Sequence, residues 1–529
     1  MTAPLADPAA SPSAVSAGST DSGAPAAGRL AAGHPLALLL APIAGLLLPL
    51  AFAPYRLWPL GLLLPAVLLW LIDGERPRRA LLIGLLFGLG SYGHGIWWIY
   101  ISLHRYGGAP PAFAGLATFL VVLLMAAYVA LFAGLLNRLA PAPGARRWLL
   151  AAPGLWALLE WVRSWAFTGF PWLALGYAQV ESPLAGFAPI LGTFGLGALV
   201  MLVAGSLRLA LARLRSGARA ALAPLAVALL VPALGFGLGR IDWSAPAGRV
   251  LAVGHAQGNI AQEMKWRPGK LEETIAVYAG LSQRAQAQGH RDLIVWPETA
   301  LPAFLSDLDD NFLAELRAWA AETGTDLLIG APDGDRARRD YRNAVASIGR
   351  TPGVYAKHRL LPFGEYLPLR GLLMIFRDFV QIPMADFTAG AADQPLLVAA
   401  GVPVGVSICF ESVFGSEVRR ALPAAQLLVV VSNDAWFGDS LAPHQHLQIA
   451  QMRALEAARP LVRATNTGLT AIVDERGRIT AQAPAFVETV LDGDVQPRSG
   501  VTPYVRFGDG PAAGLATVLL LAGALRRRG

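Results

Sequence analysis

Three residues of this chain carry complementary chemistry: Glu298 in Trp296-Pro-Glu298-Thr299, Lys357 in Tyr355-Ala-Lys357-His-Arg, and Cys409 closing Val402-Pro-Val-Gly-Val-Ser-Ile-Cys409. A carboxylate takes a proton, a thiol that loses one attacks a carbonyl, and an ammonium stabilises the resulting oxyanion. Together they can make and resolve a thioester, which is acyl-transfer chemistry. Singly they say less. Glu298 reads equally well as a solvated loop carboxylate, a lone lysine is most often a surface charge, and a cysteine on an apolar strand is more often packed than reactive. Their surroundings strengthen the reading. Pro297 cannot donate to a sheet ladder and turns Glu298 out of its strand. Glu365 adds a second carboxylate beyond a Pro-Phe-Gly turn, and Cys409-Phe-Glu411 falls at a strand-to-helix turn. A helix N-terminus and Lys357 would there raise the thiolate fraction.

The elements that position these residues begin near 250. Strand-like runs at Val250–Val253, Asp292–Trp296, Asp326–Gly330, Asn343–Ile348, Val402–Cys409 and Leu427–Val431, and near 460–465 and 469–473, alternate with helical stretches at about 269–288, 308–323, 412–421 and 443–458. Apolar strands buried on both faces with helices between them predict an α/β layered sheet. Several candidate residues sit just past strand ends, where such folds usually place their sites.

Upstream the composition changes. The chain has 529 residues, 54% hydrophobic and only 15% charged, with charges sparse up to about residue 240 and denser from Arg240 to Arg506. The boundary falls near Trp243-Ser-Ala-Pro246. Residues 1–28 are Ala, Pro, Ser and Gly with few bulky apolar side chains, and read as a disordered tail. Apolar runs follow near 35–53, 57–72, 80–101, 112–137, 148–166, 186–207 and 220–238, with another at 511–525. Several reach the roughly 20 residues needed to span a bilayer, and so many in succession leave no soluble partner to bury them. The division is a tail (1–28), a transmembrane domain of about seven helices (29–242), a catalytic domain (243–508), and a final span with a basic end (509–529). The net charge of +7 comes mostly from arginine, but much of it flanks apolar runs, which favours membrane topology over nucleic acid. A single cysteine excludes an internal disulfide.

Arg76, Arg78 and Arg79, then Arg138, Arg146 and Arg147, then Arg208, Arg213, Arg215 and Arg219 make every second loop basic, and Arg526, Arg527 and Arg528 end the chain with the same parity. The positive-inside rule then places both termini in the cytoplasm and 243–508 outside, with Trp97, Trp98 and Tyr100 as an interfacial belt. A cleavable signal peptide is the competing reading of the first run, disfavoured by Pro54 directly after Ala51-Phe-Ala53. Glu160 and Arg163, one turn apart in the fifth run, read as a structural ion pair or as the lining of a cavity.

The three reactive motifs, 59 and 52 residues apart in this order, resemble the Glu-Lys-Cys triad of the nitrilase (carbon–nitrogen hydrolase) superfamily. With seven spans before it and one after, the chain resembles the apolipoprotein N-acyltransferase family of bacterial inner membranes. Gln257-Gly-Asn259 with Lys265-Trp266, Val431-Ser-Asn-Asp-Ala-Trp-Phe-Gly438, and Pro443-His-Gln-His446 through Arg453-Ala-Leu-Glu456 add to the match, and only the tail falls outside it. The resemblance implies a multi-span α-helical membrane domain joined to an αββα nitrilase-like catalytic domain on the periplasmic side.

It also implies roles. Glu298 takes the proton of Cys409, the thiolate attacks the sn-1 ester of a phospholipid donor, and Lys357 with a backbone N–H holds the oxyanion. The α-amine of a diacylglyceryl-apolipoprotein acceptor then resolves the thioester. Glu365, Glu411 and Asn343 support the site, and Trp266, Phe410 and Trp436 contact substrate, with Leu372–Phe376 as a lid. Ordinary packing is the competing reading of these last residues. Phe410 stands where the family pattern expects tyrosine. No cofactor is implied. No metal is expected, because His444 and His446 lack a third ligand and are assigned to structural hydrogen bonding. Two rivals remain: a membrane-anchored amidase that passes its thioester to water, and a lipid-binding or transport scaffold with an inactive domain.

Overall fold

The computed structural model describes residues 33–525 apart from 268, 309, 336, 339 and 368–386. The N-terminal tail, Leu372–Phe376 and the final arginines lie outside the described residues.

Each of the eight apolar runs contains a helix: Leu36–Leu47, Leu60–Leu71, Pro77–Gly95, Pro111–Leu139, Ala152–Arg163, Ala188–Arg213, Ala218–Leu238 and Gly510–Ala524. Pro111–Leu139, Pro183–Arg213 and Ala218–Leu238 are each long and apolar enough to cross a bilayer. The third run departs from the expected straight span. It breaks at Ile96 and continues as Trp98–Tyr106 at 49° to the first part. Two causes are local: Gly93 and Gly95 weaken the helix before the break, and Trp98 is drawn into a cluster with Trp172 and Phe437. Trp98 is accordingly buried, so only its neighbour Trp97 retains the exposure expected of a belt residue. The shorter helices pack closely on the longer ones. A Cβ on Gly45 would come within 2.0 Å of the Phe87 carbonyl oxygen, and one on Gly90 within 2.3 Å of that of Pro42, the small-residue contact typical of membrane helices.

The basic loops gather at one end of this bundle. There Arg208 pairs with buried Asp73, Arg79 reaches Glu75 and the His34 carbonyl, and Arg146 donates to the Leu525 carbonyl. Glu160 and Arg163 are both buried, 3.9 Å apart. The Arg163 guanidinium donates to the carbonyls of Phe170 and Trp172, and Glu160 accepts from the Leu175 N–H, so the pair fixes the loop that follows.

The α/β domain occupies the opposite end. Its strands are β1 (Ser244–Pro246), β2 (Leu251–Gln257), β3 (Leu293–Val295), β4 (Asp326–Asp335), β5 (Asp340–Ile348), β6 (Gly353–Ala356), β7 (Leu397–Ala399), β8 (Val402–Ile408), β9 (Leu427–Ser432), β10 (Leu461–Thr465), β11 (Ala471–Val473), β12 (Ile479–Gln482), β13 (Thr489–Val495) and β14 (Arg498–Gly500). One sheet runs β13-β2-β3-β4-β5-β6, the other β12-β11-β10-β9-β8-β7, and β1 pairs with β14. Each sheet contains three adjacent parallel strands, β2-β3-β4 and β8-β9-β10, flanked by antiparallel ones. The two-residue period of a strand builds the layers. Leu427, Val429 and Val431 face Leu293, Val295 and Leu328 across the sheets, while Leu428 and Val430 face the helix Leu441–Ala457. Ile294, Leu327 and Ile329 likewise face Leu271–Ala287 and Asp310–Thr323. The result is an αββα sandwich.

Leu441–Ala457 is buried on all sides because its remaining face docks on the membrane domain. Gln445 Oε1 accepts from the indoles of Trp98 (3.3 Å) and Trp172 (2.7 Å), its amide donates to the Gly95 carbonyl, and Gln448 accepts from the Ala53 N–H. Near its end, Glu456 accepts from the Thr193 N–H and hydroxyl and pairs with Arg453 at 3.0 Å. Replacing Gln445 with Leu strands two buried indole N–H groups, at about 1–3 kcal/mol each. A Gln445→Leu protein is expected to unfold at a lower temperature and to become protease-sensitive in the bent segment 95–106; an unchanged unfolding midpoint would show that this clasp contributes nothing.

Candidate active site

Every expected triad residue lies at the carboxyl edge of the sheets. Glu298 follows β3, turned out of the sheet by Pro297, and Gly330 on β4 makes room for that turn, since a Cβ there would meet the Pro297 oxygen at 2.2 Å. Lys357 follows β6, its N–H donating to the Asn343 carbonyl on β5. Cys409 follows β8 at φ 52°, a left-handed conformation that costs a non-glycine residue of order 1–3 kcal/mol and lifts the thiol out of the strand.

The side chains of Glu298, Lys357, Asn343 and Glu365 form one buried cluster. Lys357 Nζ donates to Glu365 Oε1 at 2.8 Å and lies 3.8 Å from Glu298 Oε1. Asn343 Nδ2 donates to both carboxylates, at 2.8 Å to Glu298 and 3.0 Å to Glu365. The Asn433 N–H, just past β9, donates to Glu298 Oε2, and the Leu361 N–H to Glu365 Oε2, both at 2.8 Å. Each carboxylate is thus aimed by neutral donors and shares one cation. Cys409 is only partly buried.

Glu411 ties the cysteine turn to the lysine loop. Its Oε1 accepts from Tyr355 Oη and the N–H groups of His358 and Arg359, and its Oε2 from the Ile408 N–H at 2.7 Å. Burial raises its pKa to about 7, against the pull of these donors and Lys357.

Electrostatics overturn one expectation. Burial and then the Glu298 charge push the Cys409 thiol up, and Lys357 only partly counters them. The resting group is therefore a thiol, not a thiolate. Burial also works against the Lys357 ammonium, but Glu365, Glu298 and Cys409 outweigh it and raise its pKa, so the cation stays charged. A 3-10 turn, Cys409–Val413, separates Cys409 from the expected short helix, which forms as Gly415–Val418 and Arg419–Ala421, so no long helix dipole starts at the thiol.

The sequence reading named two further groups without placing them beside the triad. His446, on the docking helix, places Nε2 3.2 Å from the Cys409 carbonyl and 2.9 Å from Ser412 Oγ, while its Nδ1 lies 3.1 Å from Arg463. Nδ1 thus lies between the Arg463 guanidinium and, at 3.4 Å, Asp434 Oδ1, while Nε2 faces the elbow carbonyl and the Ser412 hydroxyl. Burial keeps the ring neutral, with its pKa lowered. Asp434 pairs with Arg463 at 2.8 Å, which outweighs burial and holds its pKa low. The His446 assignment to structural hydrogen bonding fits these contacts, which reach the Cys409 backbone. Among the described residues no metal-binding cluster occurs.

The other is Lys265, a buried lysine whose Nζ lies 3.3 Å from the Glu298 carbonyl. Burial lowers its pKa from 10.5 to about 8, against the pull of Glu298. The folded state thus binds this proton less tightly than the unfolded chain, so stability should rise as pH climbs from about 8 toward 10.5. Lys265→Met should lose that slope in thermal unfolding followed between pH 7.5 and 10; an identical slope would contradict the assignment.

The three expected substrate contacts separate. Trp266 is 44% exposed. Trp436 packs edge-on to Tyr106 of the bent membrane segment, and its carbonyl accepts from Ser102 Oγ. Phe410 is buried between the domains, edge-to-face with Phe414 at 4.9 Å, which supports packing over substrate contact. Its tertiary setting offers an apolar ring, not a hydroxyl, to its neighbours.

A Glu-Lys-Cys cluster at the strand ends of an αββα sandwich defines the carbon–nitrogen hydrolase class, here docked on a membrane domain. Residues 252–504 match the carbon-nitrogen hydrolase family model, and residues 44–206 match that of the apolipoprotein N-acyltransferase N-terminal domain. The apolipoprotein N-acyltransferase of Methylococcus capsulatus is 45% identical over 93% of this chain and 97% of its own; that of Chromobacterium violaceum is 45% identical over 93% and 95%. The enzyme of the same name from Vibrio cholerae is 41% identical over 89% and 94%. This chain belongs to the apolipoprotein N-acyltransferase family. It is an acyltransferase.

Proposed function

We propose that this enzyme transfers the sn-1 acyl chain of a phospholipid, through a thioester on Cys409, to the α-amine of the diacylglyceryl-cysteine that begins an apolipoprotein. The observation that carries the reading is the partly exposed thiol on a left-handed turn beside a buried carboxylate–lysine cluster. Glu298 removes the thiol proton as the sulfur attacks the ester carbonyl, and Lys357 stabilises the oxyanion. Collapse expels the lysophospholipid alkoxide, which takes the proton from Glu298. The acceptor amine then attacks the thioester, Glu298 receives the amine proton and returns it to the departing sulfur, and an amide forms. Glu365 and Asn343 orient Lys357 and Glu298, and Glu411 holds the lysine loop to the elbow.

The division at 28/29, 242/243 and 508/509 follows the same reading. So does a bacterial inner-membrane location with the α/β domain periplasmic, supported by the basic loops lying at the far end of the bundle from the site. A site beside the outer leaflet receives both lipid substrates without extracting them into water. The test is intact-mass analysis of purified enzyme incubated with phosphatidylethanolamine. An acyl adduct should appear and be discharged by a diacylated N-terminal peptide with formation of the triacylated product. Release as free fatty acid with peptide present would favour the hydrolase.

A further inference from the structure

One concave region lies away from the catalytic cluster. A cavity of about 490 Å³ opens where the helix Ala218–Leu238 leaves the bundle for β1, beside the turn Pro183–Phe187 and the β11–β12 hairpin. None of Glu298, Lys357 and Cys409 lines it. The docking helix separates the two places: its His446 touches the elbow and its Leu455 lines the cavity, nine residues or about 13 Å further along.

The walls hold four arginines against three carboxylates, and Asp474 of the same hairpin partly offsets Arg478. Of the lining carboxylates, Asp242 pairs with Arg476, Glu475 lies 3.4 Å from Arg498, and Glu181 pairs with Arg56. That leaves the guanidiniums of Arg240 and Arg478, which have no carboxylate in salt-bridge range among the described residues. Trp243, also on the wall, holds a buried indole N–H with no acceptor. An apolar stripe leads to this polar patch along the helix: Leu230, Leu234 and Phe236 are 59%, 62% and 58% exposed, and Arg240 lies 4.7 Å over the Phe236 ring. Two exposed arginines without a salt-bridge partner among the described residues match the oxygens of a phosphodiester, and the stripe matches acyl chains lying beside it.

We propose that this cavity binds the phosphate of a membrane phospholipid as a site separate from the reaction centre. The assignment rests on the reading that the α/β domain sits at the bilayer surface, and does not need a thioester to form. The experiment uses the full-length Cys409→Ala protein in mixed micelles with a phosphatidylglycerol that carries a photoreactive headgroup, followed by peptide mapping. Label is expected on peptides covering 236–243 and 474–479, displaced by unlabelled phosphatidylglycerol but not by diacylglycerol or inorganic phosphate. In Arg240→Ala/Arg478→Ala that label should fall at least tenfold, while label around 409–414 stays constant. Because Arg478 is exposed, Arg478→Gln alone serves if the double variant unfolds, with a smaller fall in the same peptides. Equal labelling in a folded variant, displacement by inorganic phosphate, or no label at these peptides would overturn the proposal. Failure to form an acyl-enzyme would not alter this readout, so the two readings fail independently.

Discussion

Cys409→Ala is expected to abolish acyl transfer, with a fall on the order of 10⁴-fold or more and no acyl adduct in the intact mass. The effect is large because the described cluster offers nothing to replace the sulfur. The surrounding side chains position, neutralise or move protons, and Cys409 is the chain's single cysteine. The fold should survive, since a partly exposed thiol is replaced by a smaller side chain and the elbow is held from its backbone by His446 and Ser412. Equal unfolding midpoints for the two proteins would show this. The raised thiol pKa adds a second readout. An unperturbed cysteine titrates near pH 8.5, so maleimide labelling of Cys409 should be slow at pH 7 and still be climbing above pH 9. Rapid labelling that levels off below pH 8 would mean a resting thiolate and remove the need for Glu298 as base.

Lys357→Met is the second large loss, and it should act on both stability and rate. The ammonium is the cation shared by Glu298 and Glu365, at 3.8 and 2.8 Å. Without it two buried carboxylates remain bridged only by the Asn343 amide, and breaking such a buried pair costs about 3–5 kcal/mol. The oxyanion also loses its charged partner, at a cost of roughly 10²–10³ in rate. Lys357→Arg should not restore activity, because a planar fork does not fit where a single ammonium meets two carboxylates. Thermal unfolding and the rate of acyl-enzyme formation measure the two effects separately. A folded Lys357→Met protein that acylates at the normal rate would remove the lysine from the mechanism.

The α/β half was legible wherever burial on both faces made a strand a continuous apolar run. Leu427–Ser432 and Val402–Ile408 emerge within a residue of their expected ends. The strands that escaped were short, such as Gly353–Ala356 and Leu397–Ala399, or carried charge, as Thr489–Val495 does with Asp492 and Asp494. A partly exposed antiparallel strand needs no apolar run, so composition gives it no mark. In the membrane half, hydropathy located the helices but missed the bend at Ile96, because hydropathy measures polarity and Trp98 is apolar wherever it packs.

By itself the sequence supplied the candidate reactive residues Glu298, Lys357 and Cys409 and their order. Pro297 turns Glu298 out of its strand and the apolar run 402–408 carries Cys409 to its end, because backbone geometry there is set locally. Its arginine clusters also give every second loop a basic character, the basis of the proposed orientation. Tertiary structure alone decided how the set is tuned. The thiol rests protonated because Glu298 and the protein interior surround it, Lys265 comes under the base from 33 residues upstream, and His446 reaches the elbow carbonyl from a helix that also clasps the membrane segment. These are long-range effects of burial and charge. A residue's own neighbours in the chain do not encode which distant side chains will share its low-dielectric surroundings.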